Sequence, residues 1–390
     1  MSHVGIGLER LLIDPPSWFK GGRLGLLCNQ ASVDASLHHT KNLINSRFPG
    51  QLKALFTPQH GLFAEKQDNM VESHDEIDPE LNIPVYSLYG DSREPDSRQL
   101  SDIDIFIVDI QDVGCRVYTF IWTVYLVMKS CARAGVSLVV LDRPNPIGGD
   151  MVEGNLLEDD FKSFVGMARI PMRHGMTIGE LARLFAWMED IDLDLRIIPM
   201  EGWRREMDFT DTGLPWVWPS PNMPTIDTAR VYPGQVVLEG TNLSEGRGTT
   251  RPFEVFGAPY LDIARLKSGI DGLGLSGFVL RDQYFEPVFH KWAGERCRGF
   301  QIHVTARRLY RPYLVTLAIL SLIARLYPED FVWKGPPYEY EYDRLPADLI
   351  MGSKIVREAV DAGEGPEEIA SLWHADLEEF LTLRAGFLLY

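Results

Sequence analysis

The sequence predicts an α/β protein, a doubly wound parallel sheet followed by a smaller mixed α+β region. Three observations carry that expectation. Apolar runs rich in Val, Ile and Leu alternate with amphipathic stretches at βαβ spacing. The run at 103–110, Ile-Asp-Ile-Phe-Ile-Val-Asp-Ile, suits a strand covered on both faces. Past it the period turns helical, with Val117, Phe120, Ile121, Val124, Val127 and Met128 on one face.

The elements follow in order. Leu8 to Leu12 starts helical. A strand at 23–28 closes on Asn29-Gln30, and 39–48 is an amphipathic helix. The strand at 52–56 closes on Thr57-Pro58-Gln59-His60-Gly61. A short strand at 85–89 lies between two polar, turn-rich loops, 72–80 and 91–101. After the strand at 103–110 come a helix at 117–133 and a strand at 136–141, which closes on Asp142-Arg143-Pro144-Asn145-Pro146. Thr177 and Glu180 form a capping-box pattern at the head of a helix to Met188, and 195–199 is a last short strand. Five prolines between 215 and 233 then read as a long extended connection. The domain boundary is placed there, dividing 1–225 from 226–390. Beyond it, 235–238 reads as a short strand, 262–267 as a helix, 278–285 and 299–305 as strands. Helices are expected at 313–327, 353–362 and 366–382.

Composition bounds the function. A chain of 390 residues, 45% hydrophobic and 24% charged, has room for two ordinary domains with real cores. A net charge of −17 argues against a nucleic-acid partner, whose phosphates need clustered Lys and Arg. It leaves an anionic small substrate open, because a local arginine pocket can sit in an acidic protein. The four cysteines form no CxxC pair; Cys28, Cys115 and Cys131 lie in or beside apolar runs and read as buried thiols. The first twelve residues lack a basic region followed by an apolar core, and the longest apolar stretch, 313–326, is too short and interrupted to span a bilayer. A soluble cytoplasmic protein without a membrane partner is expected, or a periplasmic one if a leader has been removed.

The chemistry concentrates at strand ends. Asn29-Gln30, Gln59-His60, the stretch Asp109 to Arg116, and Asp142-Arg143-Pro144-Asn145 fall on one edge of a parallel sheet, where ligands bind. Arg173-His174-Gly175 belongs beside them. Each has a plainer use: Asp112 as a helix cap neutralised by Arg116, His60 as a turn residue, His174 as a structural histidine. Four converging clusters still favour a pocket. The loop 239–250, with Glu239, Asn242, Glu245 and Arg247 among glycines, can bring backbone close to a ligand. It is not a phosphate-binding Walker loop, and no Gly-x-Gly-x-x-Gly follows the first strand. No paired-histidine motif supports a metal and no Gly-x-Ser-x-Gly supports a serine triad. Sugar chemistry fits better, since it needs carboxylates, amides and aromatic platforms such as Tyr118, Trp122, Trp216 or Trp218, with no cofactor.

The motifs together resemble one family. Gly25 to Gln30, Pro58-Gln59-His60-Gly61, Asp109 to Arg116, Asp142 to Gly149, Arg173 to Thr177, Pro219 to Thr225 and Glu239 to Thr250 resemble, in order, the DUF1343 proteins associated with exo-β-N-acetylmuramidases of the NamZ type. The resemblance covers nearly the whole chain. It implies a Rossmann-like N-terminal domain, a C-terminal accessory domain and a cleft between them. The implied reaction removes terminal N-acetylmuramic acid from the non-reducing end of peptidoglycan fragments, so the partner is a peptidoglycan-derived sugar or muropeptide. Members usually carry Pro-Glu-His-Gly where this chain has Gln59, and an amide cannot exchange the catalytic proton.

The expected catalytic residues are therefore Glu65 first, then Glu245, Asp109 and Asp112, with His60 beside them. The expected sugar contacts are Asn29, Gln59, Arg116, Tyr118, Arg143, Asn145, His174, Asn222, Glu239, Asn242 and Arg247. Arg116, Arg143 and Arg247 would meet the lactyl carboxylate of muramic acid. A sugar-binding protein without turnover, or another small-molecule hydrolase on the same scaffold, are the alternatives.

Overall fold

The computed structural model describes residues 3–67, 70–90 and 92–390. Asp91, first residue of the expected 91–101 loop, lies outside the described residues, as do the first two residues of the N-terminal stretch. Strands β1 (Leu24–Leu27), β2 (Leu52–Thr57), β3 (Glu76–Ile77), β4 (Pro84–Ser87), β5 (Ile105–Val108), β6 (Ser137–Leu141) and, later in the chain, β9 (Leu195–Ile198) form the main sheet. Between β6 and β9, β7 (Glu153–Leu156) and β8 (Pro171–Arg173) pair as an antiparallel ribbon. The main sheet runs β3-β4-β2-β1-β5-β6-β9, with every neighbouring pair parallel except β3 with β4. β1 pairs with β2 on one side and β5 on the other, so the winding reverses at β1. Helices α2 (Thr40–Arg47), α4 (Phe120–Ala134) and α5 (Ile178–Met188) make crossovers; α1 (Gly7–Ile13) packs with α2, and the short α3 (Ser97–Leu100) packs with α4.

The apolar runs are strands because both their faces are covered. Phe106 and Val108 face the layer that contains Trp122 and Met128 of α4; Ile105 and Ile107 face the layer that contains Leu8, Leu11 and Ile44. Leu138 and Val140, against Val139 and Leu141, repeat the period of two in β6. Each such side chain contributes roughly 1.5–3 kcal/mol by leaving water. Gly135 ends α4 in the left-handed conformation at φ +68°, and Thr177 and Glu180 make the capping box at the start of α5.

The second sheet is antiparallel, β10 (Val255–Ala258), β11 (Phe278–Phe285) and β12 (Cys297–Val304) in the order β10-β12-β11. Around it lie α6 (Ile226–Gln235), α7 (Ile263–Asp271), α8 (Pro312–Leu326), α9 (Pro346–Met351), α10 (Lys354–Asp361), α11 (Pro366–Ser371) and α12 (His374–Ala385). Three expectations are corrected. The proline-rich connection turns helical at Ile226, and 235–238 is not a strand but runs on from α6 as a tight 3-10 turn. Thr225 caps α6, and close packing on α8 overrides Pro233: a Cβ on Gly234 would sit 1.9 Å from the Pro312 carbonyl oxygen. The expected helix 366–382 is two helices, broken where buried Trp373 leaves helical geometry and stacks on Tyr313 at 5.4 Å. All four cysteines are buried free thiols. Among the described residues no helix is long and apolar enough to cross a membrane.

Candidate active site

β1, β2, β5 and β6 run parallel side by side, so their carboxyl ends share one edge. After β2 the chain turns hard: His60 and Gly61 both have positive φ, +78° and +82°. That is a strained conformation for histidine, and a hydrogen bond between its Nδ1 and the Lys66 carbonyl at 2.6 Å holds it. The turn leaves Gln59 and His60 on the wall of a cleft. Val117 to Phe120, after β5, form the adjoining wall; Ser220, Asn222 and Met223 border it from the connection. Tyr232, Glu239, Arg247, Phe253, Tyr338 and Glu339, from the later half of the chain, close the far side.

Two carboxylates line this cleft among the described residues, Glu239 and Glu339. Glu239 accepts from Arg247 Nε at 3.0 Å and Nη2 at 2.6 Å on one oxygen, and from the Tyr338 hydroxyl at 2.6 Å on the other. Glu339 accepts from the Tyr89 hydroxyl at 2.7 Å and from Gln59 Nε2 at 3.3 Å. Thr119 donates to Gln59 Oε1 at 2.7 Å, which fixes the amide with its NH2 towards Glu339. Burial pushes the Glu339 carboxyl above its ordinary range despite the Tyr89 bond, and the nearby charge of Glu239 adds to the rise.

Of the residues expected from sequence, Gln59, His60, Tyr118, Asn222, Glu239 and Arg247 are brought together on the cleft. The others lie elsewhere. Glu65 is exposed and lies over Gly61, outside the lining. Asp109 is buried in a fork with Arg143, Nε to Oδ1 at 2.5 Å and Nη2 to Oδ2 at 2.9 Å. Arg116 is fully buried, its guanidinium shared among the carbonyls of Asn155, Ile170, Ile350 and Met351. His174 Nδ1 accepts from the Met176 amide at 3.2 Å, and its Nε2 stands 3.3 Å from Asp112, whose carboxylate also accepts from the Gly114 amide. Asn29 donates to the Pro219 carbonyl, Asn145 to that of Met176, and Asn242 to that of Asp330. Glu245 sits behind Arg247, bound by Lys291 at 2.6 Å and His290 at 3.1 Å. Burial alone would raise its carboxyl, but Lys291, His290 and Arg247 hold it well below the usual range. Apart from Gln59 and His60, the strand-end polar groups thus stitch loops together, and the cleft lies one layer outward. Among the three arginines expected to meet an anion, only Arg247 reaches it.

Sequence reasoning missed Tyr89, Tyr338 and Glu339. The signal was there in Tyr338-Glu339-Tyr340-Glu341-Tyr342, an alternation of aromatic and acid in a stretch with no helical or strand partner.

A parallel-sheet edge whose cleft offers two buried carboxylates among amides, hydroxyls and aromatic rings has the lining of a glycoside hydrolase. Comparison with known proteins gives the family. Residues 24–227 match the N-terminal model of exo-β-N-acetylmuramidase NamZ and residues 230–390 its C-terminal model. The chain is 41% identical over 388 residues to the peptidoglycan β-N-acetylmuramidase NamZ of Bacillus subtilis strain 168, covering 99% of this chain and 91% of that protein. Two DUF1343 proteins of Bacteroides fragilis NCTC 9343 have similar crystal structures. One has a TM-score of 0.90 and 31% identity over the whole of both chains. The other has 0.78 and 28%, over 100% of this chain and 99% of that one. The chain belongs to the NamZ exo-β-N-acetylmuramidase family.

Proposed function

We propose that this chain is a glycoside hydrolase that releases terminal N-acetylmuramic acid from the non-reducing end of peptidoglycan fragments. The full-length likeness to the Bacillus enzyme carries the reading. The cleft supports it with suitable chemistry. Glu239 is held by Arg247 and Tyr338, and Asn222 and Tyr118 stand on the wall where sugar hydroxyls and the acetamido group would lie. In this assignment Arg247 orients Glu239, while Arg116 and Arg143 hold the scaffold.

One observation favours a second reading, binding without turnover: Gln59 lines the cleft and cannot carry a proton. A defined disaccharide with N-acetylmuramic acid at its non-reducing end separates the two. Free N-acetylmuramic acid in the product mixture supports the hydrolase. Saturable binding with the disaccharide recovered intact supports the binding protein.

A further inference from the structure

We infer that Glu339 is the general acid of this cleft, positioned by Gln59 and Tyr89. The inference rests on the glycosidase reading above. Glu239 already accepts three hydrogen bonds, two of them from a guanidinium. Glu339 has no cation on its carboxylate among the described residues: its side-chain partners are a phenol and an amide. Arg93, the nearby cation, donates at 3.3 Å to the Glu339 backbone carbonyl instead. Burial without a cation on the carboxylate pushes such an acid above its ordinary range, against the phenol and amide that donate to it.

The groups facing it agree. Tyr89 and Arg93 favour its ionised form, Glu239 opposes it, and burial outweighs them, so the carboxyl is raised. Tyr340, the next residue, stands over Tyr89 with ring centroids 6.1 Å apart.

The backbone is a second, independent observation. Glu339 and Tyr340 are consecutive non-glycine residues at positive φ, +48° and +66°. Such strain persists where the surroundings over-determine it, and it gathers at functional sites. Here the surroundings are visible: the Arg93 guanidinium lies 4.0 Å from the Phe164 ring centre and 4.9 Å from that of Tyr340, pinning the turn. The strained turn faces another, at His60 and Gly61, and the hydrogen bond between Gln59 and Glu339 joins the two. Position 59 therefore serves as a fixed donor that aims the acid, in place of being the acid.

The step balances. The Glu339 carboxyl proton goes to the glycosidic oxygen as the bond from the anomeric carbon breaks, and that bond's electron pair stays on the oxygen. The second sugar leaves as an alcohol. A water oxygen bonds to the anomeric carbon, and the water's surplus proton restores the Glu339 carboxyl. The net change is one water added across the bond.

Leaving-group dependence tests this. Wild type and Glu339→Gln are compared on two β-N-acetylmuraminides, the natural disaccharide and a 2,4-dinitrophenyl glycoside that needs no protonation to depart. The variant is expected to lose about 100-fold or more in kcat on the disaccharide, as for loss of a general acid, and to stay within about tenfold of wild type on the dinitrophenyl glycoside. An equal loss on both would mean a structural role and overturn the inference, as would no loss on either. If wild type cleaves neither substrate, the hydrolase reading itself fails, a result distinct from both.

Discussion

Arg143 reaches across the sheet edge and forks onto Asp109, and both side chains are almost wholly out of water. Thr40 donates to the same carboxylate, so the end of β5 is tied to the crossover helix before β2. Truncating the arginine would leave a buried carboxylate without its cation. Arg143→Ala is expected to lower unfolding free energy by about 3–5 kcal/mol, the cost of breaking a buried pair from one side. Urea denaturation at neutral pH reads it. A loss below about 1 kcal/mol would mean that the fork is not structural.

This pair also marks how far the sequence could be read. β1, β2, β5 and β6, with the capping box of α5, were legible because buried parallel strands and helix starts write their chemistry locally. Their common edge followed from strand order. What each polar strand-end residue does there was not legible. Asp109, Arg143 and Arg116 look alike in sequence whether they meet a ligand or a carbonyl, and only packing from β7 and α9 shows that Arg116 is enclosed. Glu339 escaped for the opposite reason. It lies 280 positions from Gln59, on a turn with no periodicity, so nothing local links the two. Helix α6 was hidden by Pro233, whose cost is offset by contacts with α8.

Asp142 gives the fold a pH dependence. Burial pushes its carboxyl up to about 6, against bonds from the Gly179 amide, Thr177 and Tyr390. A folded-state value above the unfolded one means that the native chain binds more protons between the two. The stability that Asp142 contributes is thus fully present below about pH 4 and is lost as pH rises through about 6. Wild-type stability relative to Asp142→Asn should fall by roughly 2–3 kcal/mol between pH 4 and pH 7. Paired urea titrations across that range check it; a difference that is flat or grows with pH contradicts it.

Tyr89 tunes the proposed acid. Its hydroxyl donates to Glu339 at 2.7 Å and so favours the ionised carboxylate. Tyr89→Phe removes that donor, and the Glu339 carboxyl should rise further. Because the acid must be protonated to act, the alkaline limb of the kcat profile should move to higher pH. A limb that stays in place, or moves to lower pH, would separate Tyr89 from the titrating group.

The most direct test of the whole account is the choice of sugar. N-acetylmuramic acid differs from N-acetylglucosamine by its lactyl ether, which adds a carboxylate. The measurement is kcat/KM for matched chromogenic β-N-acetylmuraminide and β-N-acetylglucosaminide substrates at neutral pH. The account predicts preference for the muraminide by about 100-fold or more, since a charged hydrogen bond to the lactyl group is worth roughly 1.5–3 kcal/mol and its shape fit adds to that. Equal turnover of the two, or preference for the glucosaminide, would contradict it.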